Sequence, residues 1–362
     1  MRFYLNLFWI LTKSLFNNYN DNYDKIIFKD VPEKRKKWKS YVLLYLRFIK
    51  GGSGNYFKIG SHLYNELSDK PSKKLLIKVF AFRILGHQKV KLPFNNKFNL
   101  DRISQIESYL SKDDFIESNY NKMKLFKYDL NKISFINRNV KFYFNSFGIN
   151  VLFCFKQYEY KNKNFEIKAK LGDNVIDCGG CWGDTALYFA DSVGSEGSCH
   201  VYEFEDNNLF LMKSNFKLNP ELEQRIHIIE NAVWSESDLS LGVSGQGPAT
   251  KVELIEYNDK SKANKYNKVV KTLTIDDYFR KSDLESVEFI KMDIEGAEVD
   301  ALNGAEDVIK KFNPTLAISL YHFENHFHII PKLIHEFNPK YKFYLTHSTM
   351  TKWETVLFAI IK

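Results

Sequence analysis

The chain has 362 residues, 44% of them hydrophobic and 16% aromatic, an ordinary globular composition with room for a sizeable core and an expected two domains. Its four cysteines, Cys154, Cys178, Cys181 and Cys199, are too few and too scattered for a disulfide framework and suit a reducing cytosol. The net charge of +8 is unevenly divided: residues 1–150 hold 28 Lys and Arg against 12 Asp and Glu, and residues 151–362 hold 24 against 32. A half at +16 beside a half at −8 sets a composition boundary near residue 150 and leads one to expect an anionic partner for the first part. Phosphorylated lipid carriers, anionic glycans, a membrane surface and nucleic acid all qualify on charge alone.

Phe3 to Phe16 is apolar and aromatic, but Asn6 and Lys13 interrupt it and it is too short to span a bilayer. It also lacks the small-residue cleavage site of a secretory signal. Two readings stand: a buried helix, which is preferred, or an interfacial anchor with Phe8, Trp9 and Leu11 at headgroup depth. Pro32 to Lys50 is expected to be a helix that carries the run Lys34-Arg35-Lys36-Lys37 among aromatic residues. Gly51 to Gly54 reads as a flexible connector. Leu75 to Leu85 reads as a core element, Asp101 to Leu110 and Phe115 to Leu130 as surface helices, and Lys141 to Phe155 as paired strands. This half holds no catalytic constellation and no repeat.

The second half is organised around Val175 to Ala190. An apolar run ends in Asp177, Gly179, Gly180 and Gly183 follow, and the chain turns helical from Thr185. Strand, glycine turn and helix start is the layout of a nucleotide-type site, where helix-opening N–H groups face the ligand. The spacing is neither G-x-G-x-x-G nor that of a phosphate loop; acid-x-Gly-x-x-x-Gly is the form expected for S-adenosylmethionine. Cys199 to Phe204 reads as a second strand with Glu205 at its end, 22 residues beyond Gly183, a spacing suited to receiving ribose hydroxyls. Asn207 to Asn219 reads as a helix and Arg225 to Glu230 as a third strand, with His227 packed in the core. Asn231 and Ala232 follow at the edge where an adenine would lie. The insert Leu239 to Tyr257 reads as a covering loop or a plain hairpin excursion.

Thr274 to Asp277 has capping-box spacing. Val287 to Met292 is a fourth strand that ends in Asp293, Glu295 and Glu298, and Leu316 to Leu320 a fifth that ends in Tyr321-His322. Tyr341 to Leu345 and Thr355 to Ile361 read as a closing antiparallel pair. Alternating strands and helices about the glycine turn make a doubly wound, Rossmann-like α/β sheet, with a basic and mostly helical N-terminal domain at 1–150 and the sheet domain at 151–362.

The pieces V-I-D-C-G-G-C-W-G-D-T at 175–185, V-Y-E-F-E at 201–205, N-A-V at 231–233, L-T-I-D-D at 273–277, F-I-K-M-D-I-E-G-A-E at 289–298 and W-E-T-V-L-F-A at 353–359 resemble the FkbM family of S-adenosylmethionine-dependent methyltransferases. The resemblance covers roughly residues 155 to 362. The family more often has Asn at position 181 and Pro at 206, where this chain has Cys181 and Asp206. It implies a class I methyltransferase sheet that passes a methyl group to a hydroxyl of a sugar, a glycan or a related natural product.

On that resemblance the cofactor set is Asp177, Gly179, Gly180, Cys181, Trp182, Gly183, Thr185, Glu205, Asn231 and Ala232, with Asp177 facing the ammonium group. Asp293, Glu295 and His322 are candidates for a general base, or for a divalent-metal site beside the acceptor. Of these, Asp293 and His322 are preferred as the base, and Glu298 is assigned to capping the helix it opens. The implied partner is a sugar or glycan acceptor, anionic or lipid-linked, in a cytoplasmic protein with peripheral contact to the inner face of the membrane; nucleic acid is not expected. The alternative is an inactive scaffold that works through its basic half. A zinc site from Cys178, Cys181, Cys199 and His200 lacks a second paired motif, and a nicotinamide oxidoreductase lacks its glycine fingerprint.

Overall fold

The computed structural model describes residues 2–17, 19, 41, 43, 54–255 and 266–361. The expected helix at Pro32 to Lys50, apart from Tyr41 and Leu43, and most of the Gly51 to Gly54 connector lie outside the described residues.

The fold is built on a sheet of seven strands: β6 (Asn174–Cys178), β7 (Ser198–Tyr202), β8 (Ile226–Ile229), β12 (Phe289–Met292), β13 (Thr315–Ser319), β14 (Lys342–His347) and β15 (Thr355–Ile360). Their spatial order is β14-β15-β13-β12-β6-β7-β8. The five strands from β8 to β13 run parallel, and β15 enters antiparallel between β13 and β14. Parallel strands buried on both faces need near-continuous apolar runs, and β12 is buried at all four positions. The strand order reverses between β6 and β12, which is where open α/β sheets leave a crevice for ligands.

Alternation along the strands divides the core into two layers. Ile176, Ile290, Ile318 and Phe343 face one layer, together with the N-terminal helices α1 (Arg2–Leu15), α2 (Gly54–Glu66) and α3 (Lys70–Leu85). Val175, Phe289, Ala317 and Phe358 face the other, against α4 (Lys97–Glu107), α5 (Asp184–Val193) and α6 (Asp206–Lys217). Side chains from both halves of the chain therefore share each layer, and Phe80 of α3 meets Phe327 edge-on at 5.3 Å. Cys178 lies in the first layer and Cys199 in the second, so the sheet itself separates the two cysteines that a zinc site would need together. Among the described residues no helix is long and apolar enough to cross a membrane.

Phe115 to Leu130 is not a helix. Here β1 (Phe115–Glu117) and β2 (Lys124–Asp129) form an antiparallel ribbon with β3 (Lys141–Phe144). Leu125 and Tyr128 are the buried residues of β2, and their spacing of three imitates a helical stripe. The chain reverses at Asn121 and Lys122, whose φ values are 51° and 49°. Of the strands expected at Lys141 to Phe155, only the first four residues form one; Asn145 then accepts from Gly148 N at 2.7 Å and starts a helical turn. His227 is exposed rather than core, because β8 is an edge strand, and its ring stacks on buried His200 at 4.5 Å. The glycine-rich insert contains a hairpin, β9 (Ser240–Ser244) with β10 (Lys251–Leu254), and β11 (Lys268–Lys271) pairs on the other side of β9.

Candidate active site

β6 carries Asp177 and Cys178 to the crevice, and the chain turns through Gly179 to Gly183 into α5. Gly179 and Gly183 have φ of 89° and 83°, a region that favours glycine. At Gly179 a Cβ would also lie 2.2 Å from the carbonyl oxygen of Asp293, so the turn and the loop after β12 interlock at backbone level. The N–H groups of Gly179 and Gly180 both donate to the Tyr202 carbonyl, at 3.1 and 3.0 Å, which ties the turn to β7. Cys181 takes φ 44° and is half-buried.

Several residues assigned to the cofactor support the turn from beneath. Asp177 is fully buried; Thr185 Oγ1 donates to it at 2.6 Å and Lys291 Nζ lies 2.9 Å away. This corrects the expectation that Asp177 faces an ammonium group, because its carboxylate is turned into the protein and paired there. Lys291, also buried, donates to the carbonyls of Cys178 and Gly179 at 3.2 and 2.7 Å and so stitches strand, turn and ion pair together. The Trp182 ring is buried edge-on to Phe144, and its carbonyl accepts from Asn215 at 2.8 Å.

At the end of β7 two carboxylates divide the work. Glu203 is buried and accepts from the N–H groups of Phe204 and Glu205, both at 2.8 Å; burial pushes its carboxyl up to about 7. Glu205 is half-buried, caps α6 and accepts from Asn208 N at 2.7 Å. Beyond β8, Asn231 donates to the Lys271 carbonyl at 3.2 Å, and Ala232 is buried in a small apolar cluster flanked by Phe204 and Trp234.

The loops after β12 and β13 gather the catalytic candidates. Asp293 accepts from Tyr321 OH at 2.7 Å and from Tyr158 OH at 3.2 Å. His322 sits among three carboxylates: its Nδ1 is 2.8 Å from Glu298, and its Nε2 is 3.5 Å from Asp293 and 3.6 Å from Glu295. Burial opposes charge on this imidazole, but the hydrogen bonds it donates to Glu295 and Glu298 and the Asp293 charge outweigh it and push the group up to about 11. His322 is therefore an imidazolium at neutral pH, which removes it as a base. Glu298 opens α8 (Glu298–Asn303) but does not cap it, since Ala297 is the cap residue and no side-chain cap bond is made; fully buried, it accepts from Ile294 N at 3.0 Å and pairs with both His322 and His326. Glu295 stands at φ 56°, a left-handed conformation that costs about 1–3 kcal/mol and collects at functional sites.

Four participants were not singled out by the sequence reading. Lys291 stands in an otherwise apolar strand, and that position is itself a signal of a buried partner. Tyr321 was noted only as the end of a strand. Glu354 accepts from Gln157 and, at 3.4 Å, from Tyr321, and burial with the Asp293 charge pushes it up to about 8. Its only trace was the W-E-T segment, and Tyr158 left none. Asp293, Glu298 and His322 offer donor atoms within 4.8 Å of one another, a spacing that a divalent cation accepts. Both imidazole nitrogens already face carboxylates, however, and a proton on His322 satisfies the set.

Residues 174–341 match the methyltransferase FkbM domain. That match runs from β6 to just before β14, over 168 of the 362 residues. The seven-stranded sheet has the class I methyltransferase order, and the chain superposes with TM-score 0.50 on an FkbM methyltransferase from Methylobacillus flagellatus KT, at 16% identity, over 84% of this chain and 59% of that one. This chain thus spans about three fifths of that protein's length. Weaker similarities are to the fibrillarin of Aeropyrum pernix with bound S-adenosyl-L-methionine (TM-score 0.35, 10% identity, 68% of this chain and 93% of that one) and to an O-methyltransferase from Bacillus cereus in complex with SAH (TM-score 0.32, 13% identity, 52% and 74%). No curated protein matches the chain.

Proposed function

We propose that the protein is an S-adenosylmethionine-dependent O-methyltransferase acting on a hydroxyl of a sugar or glycan. The observation that carries this reading is the interlock of Gly179 with Asp293, which sets a carboxylate cluster against the glycine turn at the point where the strand order reverses. The residues suit the cofactor's chemistry. Asp177, Asp293, Glu295 and Glu298 face Lys291, His322 and His326, and Asp184 and Glu354 stand beside them with carboxyl groups that burial pushes up to about 7 and 8, a carboxyl-rich site that suits a cationic ligand. In this reading Glu205 takes ribose hydroxyls, the Phe204, Asn231 and Trp234 region takes adenine, and the Gly179 to Gly183 turn holds the remainder.

When bound, the cofactor supplies an activated methyl group on a sulfonium. The chain's own residues position the acceptor and take its proton. Asp293 and Glu295 are the candidates for that proton, and the imidazolium of His322 holds the two carboxylates at fixed positions. The phenols of Tyr158 and Tyr321 orient Asp293 from the other side. Alignment of the acceptor oxygen with the methyl carbon supplies much of the rate in such a displacement. The test is incubation of the purified protein with labelled cofactor and surface glycan from the producing cell. Label in a sugar residue one methylene heavier supports the reading, and label found only in protein or nucleic acid refutes the glycan assignment.

A further inference from the structure

Helix α1 is apolar on two sides. Its inner side, Phe3, Leu7, Leu11 and Leu15, is buried in the core, with Phe3 edge-on to Phe80 of α3 at 5.6 Å. At about 100° per residue the opposite side carries Leu5 and Trp9, and Phe16, just past the last helical residue, continues their line. These three are 63%, 58% and 79% exposed. A helix that meets only water on its outer side places polar residues there. Here the cations stand along one edge instead: Arg2 and Lys13 follow Trp9 on the same side of the line, with Lys13 Nζ 4.0 Å from the Trp9 ring. Beyond them Lys73 of α3 sits over Tyr64 at 5.4 Å, and Tyr64 accepts from Asn6 of α1.

We propose that this outer face docks the protein on an anionic lipid bilayer. Leu5, Trp9 and Phe16 enter the boundary between headgroups and acyl chains, and Arg2, Lys13 and the basic first half of the chain meet the lipid phosphates. The helix, 14 residues and about 21 Å long, lies in the plane of the interface. Charge selects the occupant: residues 1–150 carry +16, which favours a surface of negative lipids and opposes a second copy of the same face. The docked face is one helix away from the catalytic cluster, since Arg83 of α3 donates to the carbonyls of Tyr321 and Lys352, both at 3.3 Å. Docking does not depend on the transfer reaction, although it suits a lipid-linked acceptor.

The experiment is co-sedimentation of the full chain with vesicles of phosphatidylcholine alone and of phosphatidylcholine with phosphatidylglycerol. The expected result is binding to the anionic vesicles that weakens as salt rises. Replacing Leu5 and Trp9 together by Asn should lower that binding at least about tenfold, with thermal unfolding and S-adenosylmethionine affinity unchanged. If the double variant unfolds early, Phe16→Asn at the end of the helix gives the same reading, and Arg2→Glu with Lys13→Glu tests the charged rim. The proposal is overturned if the wild-type protein stays in the supernatant with anionic vesicles at low salt. It is equally overturned if the substituted proteins sediment like the wild type, or if sedimentation equilibrium shows the face pairing two copies of the chain. Loss of cofactor binding with vesicle binding intact would count against the proposed enzyme and leave the docking surface standing.

Discussion

Lys291 and Asp177 form a fully buried ion pair beneath the glycine turn, with side-chain exposures of 1% and 0%. Removing one partner leaves the other charge buried and unpaired, so Lys291→Met should cost about 3–5 kcal/mol, read as a fall in the denaturant midpoint. A change below about 1 kcal/mol would show that the pair is solvated or redundant. His322 makes a different kind of statement. Its folded value of about 11 lies above the ordinary 6.5, so the stability it contributes is fully present below pH 6.5 and is lost as pH rises through about 11. The groups that set this window are Asp293 and Glu295 after β12 and Glu298 on α8, with His326 of α10 (His326–Phe337) behind Glu298. The rate of methyl transfer should accordingly show no rise centred near pH 6.5 and should fall on the alkaline side. A pH–rate profile that climbs through 6.5 and disappears in His322→Gln would make the imidazole the base after all.

The elements that hold the site differ in how openly the sequence announced them. The glycine turn was legible because its constraints are local: strand, left-handed glycines and helix start follow one another in the chain. What the glycines are for was less visible. Gly179 makes room for the backbone of Asp293, 114 residues away, and Gly180 for the side chain of Val201. Gly179→Ala therefore puts a left-handed alanine against a carbonyl oxygen, with an expected loss of about 2–3 kcal/mol and of activity together. If the variant kept both its melting temperature and its rate, the interlock would not be what positions Asp293. The capping box at Thr274 was also readable, and its hydroxyl accepts from Asp277 N at 2.9 Å as the spacing implied. The ribbon of β1 to β3 hides in the sequence because Leu125 and Tyr128 share a helical spacing, while their cross-strand partners, Ile116 on β1 and Phe142 on β3, are joined to them only by the fold. Glu354 and Tyr158 reach Asp293 and Tyr321 only through the folded sheet, so no local pattern carries them.

At the scale of the whole molecule, the charge boundary near residue 150 is crossed by packing. Phe3, Leu76 and Phe80 share a layer with Leu316, Phe327 and Phe343, and Arg83 touches the loop that ends in His322. A chain lacking residues 1–88 would expose Phe327 and Phe343, which are 1% and 0% exposed. It should fail to give a cooperative unfolding transition, and a well-behaved truncated protein with a sharp melt would mean that the helices are an independent attachment. Residues 174–341 match the methyltransferase FkbM domain, and the account of the site's chemistry rests on a single ligand held over the glycine turn. Titration calorimetry of the full chain with S-adenosylmethionine, beside Glu205→Ala, tests this most directly. The account expects one site per chain and an affinity about 10- to 100-fold weaker in the variant, the worth of hydrogen bonds to a charged carboxylate. Absence of heat in the wild-type protein, or equal affinity in both, would contradict it.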